Sequence, residues 1–184
     1  MMYVLAALLG YALGCLSPAF FLARRRGFDI RTTGSNNAGA SNAFITMGAK
    51  SGVMVGVCDM AKACTAALLA AVLFPQLPAA AAVAGAAAVA GHIFPFYLRF
   101  RGGKGFAPFL GLTLALDWRF FLVIVVVVLV ITLVTDYIVI GTFTTIASFP
   151  AYLGLFAKAG WLVVAAVCVA SLAVSYTHLT LPTT

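Results

Sequence analysis

Long apolar runs, interrupted by short polar or glycine-rich stretches, set the plan of this chain. Met1–Ala23 is apolar and is followed by Arg24-Arg25-Arg26; further runs lie at about Ser51–Phe74, Ala79–Phe96, Phe106–Leu116, Phe120–Thr135, Ile138–Ala157 and Trp161–Tyr176. A spanning helix takes roughly 20 residues. The pattern therefore predicts an all-α integral membrane protein of about seven transmembrane helices, with the N-terminus outside, the C-terminus cytoplasmic and partly re-entrant polar loops. Phe106–Leu116 is too short to cross about 30 Å unaided, so its loop must dip into the protein or the helix must recruit flanking residues. Residues 1–174 read as one domain with no internal repeat or linker. In 175–184 the composition changes abruptly to Thr, Leu and Pro, and this tail reads as foreign to the fold.

Composition sharpens this picture. The 184 residues are 64% hydrophobic and 8% charged, outside globular usage and within the multi-span class. The net charge of +7 does not point to nucleic acid, because the basic residues are scattered among apolar spans and the aromatics are mostly Phe inside them. They serve topology and anionic head groups or substrates instead. Arg24, Arg25, Arg26, Arg31, Lys50, Arg99, Arg101 and Lys104 fall on the predicted inner side, against Arg119 and Lys158 outside. Cys15, Cys58, Cys64 and Cys168 lie in apolar segments without a CxxC, so neither a zinc site nor a disulfide framework follows. The N-terminus lacks the basic n-region of a cleavable signal; its arginines come after the apolar run. Gly48, Gly52 and Gly56, with the Ala- and Gly-rich third run, are expected to pack helices closely.

Two polar stretches carry the chemistry. Gly34-Ser35-Asn36-Asn37-Ala38-Gly39-Ala40-Ser41-Asn42 has no charge and no large side chain. Its Ser and Asn residues can cap the following helix, whose N-terminus attracts anions; an ordinary capped turn is the plainer alternative. The second stretch runs from Gly91-His92 through Pro95, Arg99 and Arg101 to Gly102-Gly103-Lys104-Gly105. Lys104, framed by glycines, is the leading phosphate ligand, with Gly34, Asn36, Asn37, Gly39, Asn42, Arg99, Arg101, Gly102, Gly103 and Gly105 as further candidates. For the basic residues a positive-inside anchor is the alternative. Neither a Walker A loop nor G-x-G-x-x-G is present. His92 is an intramembrane histidine and so a functional candidate, though the sequence places no acid beside it. Asp59 and Lys62 lie three apart on one helical face, as a neutralising pair or as support for the site. Asp117 and Asp136 read as solvated turns at span ends.

At these residues the chain resembles the bacterial acyl-phosphate-dependent glycerol-3-phosphate acyltransferases. The family pattern D-[IV]-R…G-S-x-N-x-G-A-[TS]-N appears as Asp29-Ile30-Arg31 and Gly34–Asn42; D-x-x-K appears as Asp59–Lys62; G-H-x-F-P-x-[FY]-L-x-F-[KR]-G-G-K-G appears as Gly91–Gly105. The resemblance implies seven spans in the bacterial inner membrane and a cytoplasmic active site. It also implies acyl transfer from acyl phosphate to the 1-hydroxyl of glycerol 3-phosphate, without acyl-CoA, metal or other cofactor. Ser35, Lys104 and His92 are then the catalytic candidates, with Ser35 and Lys104 at substrate phosphates; Asn36, Asn42 and the Gly102–Gly105 backbone shape the pocket. The implied partners are the two phosphate substrates and membrane lipids.

Two positions depart from the family. Ile45 stands where relatives often carry arginine, and a terminal H-x-x-N-[IVL]-x-R block is missing, since His178 is followed three residues later by Leu181. The chain as given is therefore expected to be weak or inactive. The competing function is a transporter or channel for a small phosphorylated or anionic solute, which broken helices would also suit. A lipid phosphate phosphatase would need a second well-placed histidine.

Overall fold

The computed structural model describes residues 1–180, whose regular elements are all helices, without a strand. The first apolar run is not one helix, as its composition predicts, but two: α1 (Met2–Cys15) and α2 (Pro18–Arg25). Pro18 lacks an N–H and sits at the first helical position, where that loss is harmless. Ser17 caps α2 by accepting from the Phe20 N–H at 3.4 Å. The break frees carbonyls that lipid could not satisfy. Other spans meet them: Tyr97 donates its hydroxyl to Cys15 O at 2.8 Å and Lys62 Nζ donates to Leu16 O at 2.5 Å.

A loop with a 3₁₀ turn at Ile30–Thr32 leads to a short helix, α3 (Ala40–Met47), and then to α4 (Ala49–Leu73). Gly48 has φ +85° and no atom crowding its missing side chain, so it is the hinge between these helices, not a packing glycine as expected. Gly52, by contrast, packs against Phe44 of α3. Next come α5 (Ala80–Ile93), a 3₁₀ turn at Phe96–Leu98, α6 (Phe106–Leu116), α7 (Trp118–Thr135), α8 (Ile138–Leu155) and α9 (Trp161–Thr180). Asp117 starts α7 by accepting from the Arg119 and Phe120 N–H groups, both at 2.9 Å. α9 continues through the 174/175 boundary suggested by composition as far as Thr180; residues 181–184 of that tail lie outside the described residues.

Six helical segments are long and apolar enough to cross a membrane, among the described residues; α6 is a seventh, shorter one. At about 1.5 Å per residue α6 spans about 16 Å, roughly half the hydrocarbon core of about 30 Å. It starts in the interior, from the buried Gly105, and needs no full crossing.

Close backbone contact organises the bundle. A Cβ on Gly10 would strike the Ala84 carbonyl, one on Gly14 the Ala88 carbonyl, and one on Gly91 the Tyr11 carbonyl, so α1 and α5 touch through backbone. Gly111 of α6 meets Met60 O of α4 in the same way. Lipid supplies no hydrophobic drive between helices, so this close approach supplies dispersion contacts instead. A second core packs Phe109, Leu112, Ile146, Phe149, Val167 and Val174 between α6, α8 and α9. α7 buries little besides Ile124 and Val128 and is the most lipid-exposed span. With this order the ends of α2, α5, α7 and α9 gather at one end of the bundle.

Gly14→Val is expected to destabilise the protein by about 1–3 kcal/mol through overpacking against backbone. Gly160→Ala, which meets nothing within 4 Å, is expected to stay within about 0.5 kcal/mol of the parent. Thermal unfolding in detergent measures both, and equal midpoints would show that α1 and α5 are not in backbone contact.

Candidate active site

Asp29-Ile30-Arg31 begins the first wall. The Asp29 carboxylate accepts from Arg31 N at 2.9 Å, Nε at 3.0 Å and Nη2 at 2.7 Å, and the guanidinium holds its pKa down at about 2. The same Arg31 donates through Nη1 to Leu98 O at 2.8 Å, tying this loop to the turn after α5.

Asn42, with no solvent exposure, organises the loop from beneath. Its Nδ2 lies 2.8, 2.9 and 2.8 Å from the carbonyls of Ile30, Thr33 and Asn37, and its Oδ1 accepts from Ser35 N at 2.9 Å. Above it, Asn37 donates from Nδ2 to Ser35 Oγ at 2.9 Å and accepts from Gly39 N at 3.0 Å. Ser35 is thus fixed with its hydroxyl on the cavity side.

The second wall is the strap Gly102–Gly105. Gly102 N donates to Ile93 O at 3.0 Å and Gly103 N to His92 O at 3.1 Å, which folds the strap back on the end of α5. A Cβ on Gly103 would run into the His92 ring, so only glycine lets the strap lie there. Ala38 N donates to Gly102 O at 3.1 Å and joins the two walls directly. From the far side Thr177 Oγ1 donates to Lys104 O at 2.7 Å. Burial pushes the Lys104 ammonium below its ordinary pKa; an anion beside it would restore the charged form.

Behind the strap, α4 and α5 share a buried polar cluster. Asp59 Oδ1 lies 2.8 Å from Lys62 Nζ and 3.2 Å from His92 Nδ1, and Lys62 Nζ lies 3.0 Å from the same Nδ1. The acid that sequence could not place beside His92 is therefore Asp59. Spacing shows a one-helix pair, whereas the third member comes from another helix.

These parts enclose a cavity of about 540 Å³. Ser35, Asn37, Gly39, Asp59, His92, Lys104 and Gly105 line it. Lys62 and Asn42 stand behind the lining, and Gly102 and Gly103 supply its buried backbone support. Gly34 and Asn36 are exposed on the first loop, and Arg99 and Arg101 are exposed in the turn before the strap, outside the lining. Seven of the ten further phosphate candidates thus lie outside the lining: Asn42, Gly102 and Gly103 stand behind it, and the other four are at the surface, where the turns at Asn36 (φ +56°) and at Arg99 (φ +57°) direct the chain outward. Ser41, which the first polar stretch offered as a capping residue, also lines the cavity, and Asp136, Tyr137 and His178 line it without having been assigned to the site. Asp136 and Tyr137 read as a solvated turn, and His178 lay in the segment set apart by composition. Only the packing of α8 and α9 brings them to the site. The rest of the lining, including Val53, Val57, Met60, Phe106, Leu110 and Ile138, is apolar. Phe106, Leu110 and Ile138 also border a second, apolar groove of about 340 Å³ against α7.

The model of the family described as glycerol-3-phosphate acyltransferase matches residues 4–181. The chain belongs to the glycerol-3-phosphate acyltransferase family. Among curated members, "Glycerol-3-phosphate acyltransferase 1" of Oceanobacillus iheyensis is 35% identical over 156 residues, 81% of this chain and 75% of the relative. The Clostridioides difficile glycerol-3-phosphate acyltransferase is 34% identical over 181 residues, 96% of this chain and 88% of the relative. The structure is similar to that of PlsY (YgiH), an integral membrane glycerol 3-phosphate acyltransferase. Against its glycerol 3-phosphate form the TM-score is 0.88 at 30% identity, covering 96% of this chain and 88% of that one. Against its lysophosphatidic acid form the TM-score is 0.85. The protein is accordingly a multi-pass membrane acyltransferase.

Asn42→Ala would abandon several buried loop groups, each worth about 1–3 kcal/mol when left unpaired. Unfolding by heat in detergent is expected to shift down accordingly, and an unchanged midpoint would mean that Asn42 does not hold the loop.

Proposed function

We propose that this acyltransferase moves a fatty acyl group from acyl phosphate to the 1-hydroxyl of glycerol 3-phosphate, at the cytoplasmic face of the bacterial inner membrane. The observation that carries the reading is the division of one cavity. A polar end built by Ser35, Asn37 and Lys104 adjoins an apolar remainder that continues toward the groove against α7. That shape and chemistry suit an amphiphile with a phosphate head, beside a small phosphorylated acceptor. The eight-to-two bias of basic residues toward this end of the bundle supports its assignment to the cytoplasm.

Two phosphates brought together repel each other. Lys104 and the Ser35 hydroxyl would offset that repulsion and stabilise charge developing on the acyl carbonyl. Ser35 and His92 line the same space and would orient the reactants. The acceptor's hydroxyl oxygen attacks the acyl carbonyl carbon, the bond from that carbon to the phosphate oxygen breaks, and inorganic phosphate leaves carrying the hydroxyl proton. Acyl phosphate is already activated, so no covalent enzyme intermediate is needed.

Purified protein is expected to release inorganic phosphate from acyl phosphate only when glycerol 3-phosphate is added, and turnover with acyl-CoA as sole donor would overturn the donor assignment. Lys104→Ala is expected to lower kcat/KM about ten- to a hundredfold, the worth of a charge-assisted hydrogen bond. Arg119→Ala, at the opposite end of α6 and α7, is expected to leave it unchanged. Equal losses would remove Lys104 from the site.

A further inference from the structure

Lys62 is the hub of the buried cluster between α4 and α5, and its contacts decide the state of His92. Its Nζ lies 2.5 Å from Leu16 O, 2.8 Å from Asp59 Oδ1 and 3.0 Å from His92 Nδ1. An ammonium has three donors and no acceptor. The Leu16 carbonyl is left free by the break between α1 and α2 and can only accept. The Asp59 carboxylate, buried in the same place, supplies the counter-charge that lets a lysine remain an ammonium away from water. His92 Nδ1 must then accept too, since a proton on it would face the ammonium, donor to donor. Asp59 Oδ1 lies 2.8 Å from Lys62 Nζ and 3.2 Å from that nitrogen, but neither carboxylate oxygen has an aligned hydrogen-bond partner, so Asp59 acts on both as a counter-charge, and the ammonium decides the state of Nδ1. The opposite edge of the ring, Nε2, faces Gly103 at the wall of the cavity that Lys104 also lines.

We propose that Lys62, paired with Asp59, holds His92 as the neutral tautomer protonated on Nε2, so that His92 serves the reaction as a fixed N–H donor to a substrate oxygen and not as a general base. Lys62 and Asp59 are positioning residues for that donor. The identity of the oxygen rests on the acyl-transfer reading above; the protonation pattern does not. A histidine oriented by a carboxylate alone presents a lone pair at Nε2, which would repel a phosphate or an oxyanion. Exchanging the carboxylate for an ammonium at Nδ1 inverts the ring and turns its cavity edge into a donor. The break in the first span thereby acquires a chemical consequence. It supplies the carbonyl that helps hold Lys62 against the ring.

The test is nitrogen NMR of the full chain in detergent or nanodiscs, with ¹⁵N-labelled histidine. The sequence has only two histidines, and His92→Gln assigns the signals by removing one set. Nε2 is expected to carry the proton and Nδ1 to be unprotonated. A proton on Nδ1 of His92 would overturn the proposal whatever the activity. In Lys62→Met the proton is expected to move to Nδ1, where Asp59 accepts it; an unchanged pattern in folded Lys62→Met would also overturn it. If that variant does not fold, the parent spectrum decides. For the donor role, His92→Gln keeps an N–H near the Nε2 position and is expected to retain activity about ten- to a hundredfold above His92→Leu. Equal losses in the two would overturn the donor role. A protein with Nε2 protonated but no glycerol 3-phosphate acylation would instead refute the functional reading.

Discussion

Backbone that leaves helical pairing inside a membrane has no water to turn to, and the irregular segments around the site obey that constraint. The break between α1 and α2 is closed by Tyr97 and Lys62, side chains of two other spans. The first polar loop is closed by Asn42 from below. The glycine strap is bonded to the end of α5, to Ala38 and to Thr177. Of these groups, Tyr97, Lys62, Ala38 and Thr177 come from distant parts of the chain. The site is therefore assembled by the same bonds that make its loops tolerable near lipid, and the polar walls cannot be rearranged one at a time.

Small residues make those bonds reachable. Gly10, Gly14 and Gly91 let α1 and α5 meet backbone to backbone, and Gly111 lets α6 press on α4. The approach brings the broken end of α1, the middle of α4 and the end of α5 to one point, where Lys62 contacts Leu16, Asp59 and His92 at once. An added methyl group at the interface would separate them. Helix packing, helix interruption and the electrostatics of the cavity wall are consequently one arrangement.

The cavity joins two environments that free substrates would not find together. Its polar end offers Lys104, fixed hydroxyl and amide groups and backbone held by glycine. Its remainder is built from the apolar faces of α4, α6 and α8 and leads toward a groove against α7. The short α6 matters here. By starting at buried Gly105 it lets the charged strap sit within the bundle while Phe106 and Leu110 begin the apolar lining immediately after Lys104.

Much of this was legible in the sequence, because a membrane protein writes its spans as apolar runs and its chemistry as polar exceptions. The number of long apolar helices, the shortness of Phe106–Leu116, and the pairing of Gly34–Asn42 with Gly91–Gly105 follow from hydropathy and residue type alone. Ser35, Lys104, His92 and Asp59 stand out as chemistry-bearing residues for the same reason. Only tertiary structure decided the rest. The proline of Ser17-Pro18-Ala19 permits a broken helix, but the break is stable because Tyr97 and Lys62, far along the chain, reach its carbonyls. Asp59 and His92 belong to different helices, so no local spacing relates them. Arg99 and Arg101 share a motif with Lys104, yet backbone turns direct them away from the cavity. His178 and Asp136 join its lining only through packing of the last helices. A chain's local pattern records which groups need burial or water; which partner satisfies each one depends on distances that exist only after the helices have packed.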